Sequence, residues 1–556
     1  MKNLMRLLTV LVVICIAVSC TSGQAGTYSL IPKPVKLEAK QGQFVFNAGT
    51  RIVLPNGDED MYNAVSVLSE RLRLSAGLNV QITNNSSGNI KPGKNMIYCT
   101  LSPMHITNDE GYDLKIKKGC IEIGARTPAG IFYAMQTLRQ LLPPEIERDG
   151  VMQGMVWSVP CAVIKDEPRF PYRGVCIDVV RHFSTVEALK RHIDNIAFHK
   201  INRLHLHLTD DQGWRVEIKK YPKFTEIGAW RTKTYNEEKG QFEYVGRYGG
   251  YYTHEDIRDL VAYAKKNFIT IIPEIDMPGH SSAGVASYPE LSCSGAPWSI
   301  DNGWSGRAFC AGKESTFEIL NDVLAEVMEL FPGEYVHIGG DECNKRAWEK
   351  CPLCLAKVKE LGLPDVHHGL QSYFIKRIEK FVNSKGKKII GWDEILDGGL
   401  APNATVMSWR GMKGGIAAAK QGHDVIMTPV ELCYFNFYQS YDFANQPNAW
   451  GNGKGETDAI LMEQVYGFDP VPKELSASEA KHILGGQCCL WRECIRTDEH
   501  LELMMFPRLA ALSEVLWTPG SEKFYDNYMK RLTGNILKHY DAMNINYSKL
   551  DIPIVN

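Results

Sequence analysis

Two adjacent carboxylates, Asp341 and Glu342, close the segment His337-Ile-Gly-Gly-Asp-Glu342. Neighbouring acids can share general acid–base work when their surroundings push their proton affinities apart. A charge on Asp341 is expected to raise the proton affinity of Glu342 and suit it to act as a general acid. Two-carboxylate glycosidases set acid and nucleophile on opposite sides of the anomeric carbon, about 5–5.5 Å apart when configuration is retained. Adjacent residues are not the natural source of that arrangement, so spacing alone leaves open whether either is a nucleophile. Other reactive groups recur along the chain: Arg181-His182, Asp210 to Trp214, Asp276 and His280, Trp392-Asp393-Glu394, Trp409-Arg410, Tyr434 with Asn436, and Trp491 with Glu493. Trp faces suit the apolar faces of a pyranose ring, while carboxylates and Arg suit its hydroxyls. With no G-x-S-x-G elbow and no glycine-rich phosphate cradle, the set points to metal-free glycoside hydrolysis without a cofactor.

The elements that must position these groups are short apolar runs alternating with amphipathic segments. Strands are predicted at Tyr172–Val179, Arg203–Leu208, Ile269–Ile275, Tyr335–Ile338, Lys388–Gly391, Thr405–Ser408, Asp424–Met427 and Ile483–Leu490. Helices are predicted between several of them, opening on Ser184 with a Ser-x-x-Glu capping box, on Thr253 and on Ser315. Eight strands with helical crossovers predict an α/β fold, a (β/α)8 barrel spanning 168–520. Every group named above then falls just after a strand, on the face where such barrels carry their sites. Residues 27–165 mix alternating strand patterns with helical spacing and predict a smaller α+β domain. Residues 521–556 predict a helical extension packed on the barrel.

Composition agrees with this and excludes other classes. The 556 residues are 44% hydrophobic and 23% charged with a net charge of −2, so nothing draws the chain onto nucleic acid or an acidic membrane. Its 11 Trp and 24 Tyr are a generous aromatic complement, which the sugar reading places in a pocket. Lys2 and Arg6 precede an apolar run too short to span a bilayer, predicting a signal peptide over 1–19. The run ends at Ser19-Cys20, which resembles a lipoprotein signal with Cys20 as lipid site; a plain signal cleaved near Ala25-Gly26 is the alternative. Either predicts an exported bacterial chain, periplasmic or on the cell envelope, touching membrane only through a lipid. His205 and His207 alternate with leucines and are read as barrel-strand residues in preference to metal ligands. Cys99, Cys120, Cys176, Cys488 and Cys489 sit in apolar runs as small core residues. Cys293 and Cys310 could pair, and Cys351-Pro-Leu-Cys354 near Cys343 and His367-His368 invites zinc; free thiols and no metal are the reading taken, since no second pair stands at finger spacing.

In order along the chain, "RHF" from Arg181, "LHLHLTDDQGWR", "PEIDMPGH", "HIGGDE", "GWDE" and "SWR" resemble glycoside hydrolase family 20, the β-N-acetylhexosaminidases. The N-terminal "IPKPVKLEAKQGQF" and "AGIFYAMQTLRQLL" resemble that family's non-catalytic domain, so the likeness covers roughly 28 to 520. It implies a barrel that removes terminal β-linked N-acetylglucosamine or N-acetylgalactosamine by substrate-assisted catalysis through an oxazoline, with overall retention. Asp341 would hold the acetamido N–H, Glu342 would be the acid–base, and Tyr434 would bond the acetamido carbonyl. Trp392, Trp409 and Trp491 would wall the pocket, Arg181 and Glu493 would bind ring hydroxyls, and Asp210, Asp276 and His280 would support the acid. Asn436 departs from the family's Tyr-x-Asp, removing a charge near O6 and suggesting tolerance of a 6-sulfate. A disaccharide-releasing member of the family and a lipid-anchored glycan-binding protein are the competing readings.

Overall fold

The computed structural model describes residues 28–552 apart from 102–104, 237–238, 303–305, 452, 454 and 551. The signal segment 1–19 and Cys20 therefore lie outside the described residues. The N-terminal part is a seven-stranded mixed sheet in which Lys36–Val45 and Ser158–Asp166 pair at one edge. Helix Pro128–Leu141 is buried along nearly its whole length, as its apolar sequence requires, and its Gln140 reaches across to the Phe198 carbonyl of the second domain at 2.9 Å.

The second part is a closed barrel of eight parallel strands. We number them β1 Tyr172–Asp178, β2 Arg203–His207, β3 Thr270–Glu274, β4 Tyr335–His337, β5 Lys388–Trp392, β6 Thr405–Ser408, β7 Val425–Met427 and β8 Ile483–Leu490. Each lies within a residue or two of its predicted position. Closure comes from β8 pairing with β1, Gly485 opposite Tyr172 through Leu490 opposite Ile177. Strands covered on both faces read as continuous apolar runs rather than alternating ones, and β1 is buried at every position.

Helix α1, Val186–Phe198, is capped by Thr185, whose hydroxyl accepts from the Ala188 amide at 3.2 Å. Ser184, the predicted cap, instead donates to Asp498 at 2.5 Å. Two hydroxyls competed for one cap, and the tertiary partner removed Ser184 from the contest. Helix α2, His254–Lys266, opens on Thr253 as predicted, with Asp256 completing the capping box. Helix α3, Glu314–Leu330, starts one residue before the predicted Ser315.

The two domains meet through buried charge. Lys200 Nζ donates to Asp166 at 2.9 Å, the Trp517 indole donates to the same carboxylate at 2.8 Å, and Arg173 pairs with Glu110 at 2.7 Å. Removing one partner of such a pair strands an unpaired buried charge, so these contacts fix the mutual orientation of the domains. After the barrel, Arg531 grips Glu514 at 2.6 Å and Tyr540 meets His199 at 2.6 Å, holding the C-terminal helices against the barrel.

Candidate active site

The interior of the barrel beneath the site is polar and organised around Glu274. Leu204 and Leu206 of β2 alternate with His205 and His207, and all four are buried. Both imidazoles meet Glu274 at the end of β3, His205 at 3.1 Å, with the His337 ring stacked on His205 at 4.5 Å. Glu274 also accepts from the Trp392 indole at 2.9 Å. The histidines thus act within a hydrogen-bonded barrel core.

Above this layer the strand ends converge. Arg181, Asp210, Asp276, His280, Asp341, Glu342, Trp409, Tyr434, Asn436, Trp491 and Glu493 line one cavity of about 200 Å³. Trp392 is the predicted residue that does not line it; it lies one layer behind, 5.7 Å from Trp491 and nearly fully buried. Trp409 and Tyr434 stand nearly parallel, 6.1 Å apart. An outer cavity of about 410 Å³ shares Arg181, His280, Glu342 and Glu493 and is roofed by the hairpin Trp230–Asn236/Gln241–Gly249 through Lys233, Tyr235 and Phe242.

The segment carrying the two acids is shaped by close approach. Gly339 sits at φ +68, and a Cβ there would meet Asp276 Oδ1 at 1.8 Å, so only glycine lets the β4 end pass this carboxylate. A Cβ on Gly279 would meet the Asp341 carbonyl at 2.8 Å, which packs the His280 loop against the acid pair. Glu342 and His280 themselves adopt left-handed φ of +43 and +44. Side chains with a Cβ rarely accept this region, at a cost of about 1–3 kcal/mol each, and such positions cluster at functional sites.

His280 is the electrostatic hub. Its Nδ1 lies 3.1 Å from Asp210, and its Nε2 lies 3.6 Å from both Asp341 and Glu342. Burial opposes its charge, but Asp210 and Asp341 hold its proton affinity well above the usual imidazole value. Arg181 braces the same cluster, 2.8 Å from Asp210, 3.2 Å from Asp178 and 3.7 Å from Glu493. Several carboxylate–histidine groups here have metal-ligand geometry, including Asp276, His280 and Asp341. In the groups that contain Asp210 the ligand atoms already face one another in hydrogen bonds, His207 with Asp210 at 2.8 Å and His280 with Asp210 at 3.1 Å.

The order of proton affinities reverses the sequence expectation. Burial, with repulsion from Glu274 and Glu342, pushes Asp341 up to about 6 despite His280. Glu342, whose side chain is 50% exposed, is held below the ordinary glutamate value by the His280 imidazole 3.6 Å away. Adjacency predicted the repulsion, but burial decided which partner bears it. Asp276 is also pushed well up by burial and by Asp341, which favours its neutral form beside the pair.

Two residues had no role assigned from the sequence, Glu394 being named only within Trp392-Asp393-Glu394 and Trp450 not at all. Glu394, after β5, accepts from the Trp409 indole at 3.0 Å, and burial together with Asp341 pushes it up to about 8. Its strand-end position in "GWDE" was the available signal. Trp450 borders both cavities from the long segment after β7, where no strand-end rule reaches.

A family model described as the catalytic domain of glycosyl hydrolase family 20 matches residues 170–520, and domain 2 of that family matches 27–167. The chain belongs to glycosyl hydrolase family 20. It is 44% identical over 522 residues to a β-hexosaminidase of Porphyromonas gingivalis, covering 93% of this chain but 64% of that longer relative. Among solved structures, the β-N-acetylhexosaminidase of Streptomyces coelicolor superposes with TM-score 0.79 at 31% identity, covering 95% of this chain and 98% of its own. The exo-β-N-acetylglucosaminidase of Vibrio harveyi in complex with N-acetylglucosamine gives TM-score 0.81 at 32% identity, covering 94% and 78%.

Proposed function

We propose that this chain is a retaining exo-β-N-acetylhexosaminidase acting by substrate-assisted catalysis. The observation that carries this reading is the unequal depth of the acids. Asp341 borders only the inner cavity, whereas Glu342 borders both. An inner space of about 200 Å³ accommodates one sugar, so Glu342 stands where the bond to the next residue would lie.

With its charge in place, Asp341 can accept the acetamido N–H and favour the positive charge that develops as the acetamido oxygen attacks the anomeric carbon. Tyr434 lines the same cavity and can donate to that oxygen. The proton for the leaving oxygen begins on the His280–Glu342 pair. Filling the outer cavity removes water from Glu342, which disfavours its carboxylate and draws the proton from His280 Nε2 to Glu342 Oε2. Asp210 stays on His280 Nδ1 and keeps the neutral ring oriented. Once the leaving group departs, the carboxylate of Glu342 can activate water at the same carbon. The complex of the Vibrio harveyi relative with N-acetylglucosamine supports the substrate class.

Release of N-acetylhexosamine from the non-reducing ends of defined oligosaccharides, with the β-anomer forming first, is the outcome that checks this reading. Disaccharide products would favour the lacto-N-biosidase-like alternative, and binding without turnover would favour a glycan receptor. A second test concerns O6. Asn436 is buried in the inner cavity, and its Oδ1 has no hydrogen-bond partner among the described residues. An aspartate there would add a charge that repels a sulfate, so Asn436→Asp should cut kcat/KM on a 6-sulfated N-acetylglucosaminide by about tenfold or more relative to the unsulfated one. An unchanged ratio of the two substrates would sink the sulfate idea alone.

A further inference from the structure

None of the described cysteines forms a disulfide, and most are scattered singly through the core. Four are gathered. Cys293, Cys310, Cys351 and Cys354 come from three separate stretches of chain, and their sulfurs all lie within 4.8 Å of one another. The separations include 3.8 Å for Cys293–Cys354, 3.9 Å for Cys310–Cys351 and 3.6 Å for Cys310–Cys354. Zinc–thiolate bonds of about 2.3 Å in a tetrahedron set the sulfurs about 3.8 Å apart. A disulfide needs about 2.05 Å between two sulfurs and makes no demand that two pairs share one centre.

The local chain conformation fits a metal as well. Cys351 and Cys354 flank the start of helix α4, Pro352–Leu361, in a C-x-x-C step of zinc-ligand spacing. Backbone amides at a helix start favour thiolate over thiol. The Gly312 amide donates toward the Cys310 sulfur. A Cβ on Gly312 would meet the Cys354 nitrogen at 2.4 Å, so glycine is what lets the two ligand-bearing stretches close. The second ligand pair is therefore supplied by Cys293 and Cys310. The nearby imidazoles considered from sequence are engaged elsewhere, His367 with Glu349 at 2.9 Å and His368 with Asp365 at 3.2 Å.

We propose that Cys293, Cys310, Cys351 and Cys354 form a structural zinc site that staples the loop carrying His280 to the loop carrying Glu342. Zinc would replace four thiol protons, released to solvent, and leave no ligand position open for chemistry. Backbone bonds show what the staple would hold. The Cys310 amide donates to the Leu291 carbonyl at 2.8 Å, and the Phe309 amide to Pro278 at 2.9 Å, two residues before His280. From the other loop, the Trp348 indole donates to the Phe309 carbonyl at 2.9 Å. The N-terminal pattern predicts export to an oxidising compartment, where paired disulfides are the competing fate of these thiols.

Metal analysis and native mass spectrometry of the full chain, purified without chelator, test the proposal. The expected result is one zinc per chain, released on titration with a mercurial, with the thermal midpoint falling as it leaves. Cys310→Ser and Cys354→Ser should each lose the zinc. Should these variants fail to fold, the wild-type mass still decides. A chain carrying no zinc, with four alkylatable thiols or a mass lower by two or four hydrogens, would overturn the proposal, as would iron in place of zinc.

Discussion

Glu342→Gln lowers kcat by about 10²–10⁴ on unactivated oligosaccharides, the range that a positioned acid–base group supplies. Gln keeps the size and the hydrogen bonding of the side chain but can neither donate the proton nor take it back. The deficit should depend on the leaving group. A nitrophenolate departs without protonation, so the aryl glycoside should lose far less in its first step than a glycan does. A small anionic nucleophile such as azide should then restore part of the turnover, because it needs no base. His280 lies 3.6 Å from Glu342, and Asp210 and Asp341 favour its protonated form, so on the proposed mechanism the variant also loses the partner to which that proton would pass. Equal losses for aryl and sugar leaving groups would falsify the assignment of Glu342 as the acid.

Asp341→Asn removes the charge that the developing cation needs, and kcat/KM falls by about 10²–10³, as for other lost electrostatic contacts to a transition state. Its pH dependence separates this role from a structural one. Burial places Asp341 at about 6, so wild-type kcat/KM should fall as pH drops below that value, because the acetamido partner becomes neutral. The Asn variant should show no such limb at its lower rate. Stability moves the other way. A carboxyl whose proton affinity is raised on folding favours the native state below its unfolded pKa, and that contribution disappears as pH rises through about 6. Asn mimics the protonated form at every pH, so the variant should be more stable than wild type at neutral pH, by up to about 3 kcal/mol. The difference should vanish on acidification below about pH 4. An inactive variant with the wild-type acid limb, or one less stable at neutral pH, would refute the buried-charge account.

Fold and site were legible where information is local. Apolar runs such as Thr405–Ser408 and Ile483–Leu490 have no other use than a buried parallel strand, and the observed strands have these same bounds. Because a barrel exposes the C-terminal ends of its strands, naming the residues after each strand named the cavity lining. Trp450 was out of reach because it enters from a long segment whose path depends on what it packs against. Ser184 and Thr185 were equal as caps until Asp498, far along the chain, took one of them. Trp392 has the right residue type and strand end, yet Glu274 draws its indole into the layer below the cavity.

The sequence by itself determined the architecture, the family and the inventory of reactive groups, since these follow from residue type, periodicity and order. Only the tertiary structure decided how those groups behave. The higher proton affinity passed from Glu342 to Asp341 because affinity depends on access to water, and burial is a property of the folded surface. The same holds for Cys293, Cys310, Cys351 and Cys354: the Cys351-Pro-Leu-Cys354 step invites a metal, but nothing in the spacing shows that Cys293 and Cys310 would join it. Their meeting depends on two barrel loops crossing, and distance in space is set by closure of the barrel rather than by separation in sequence.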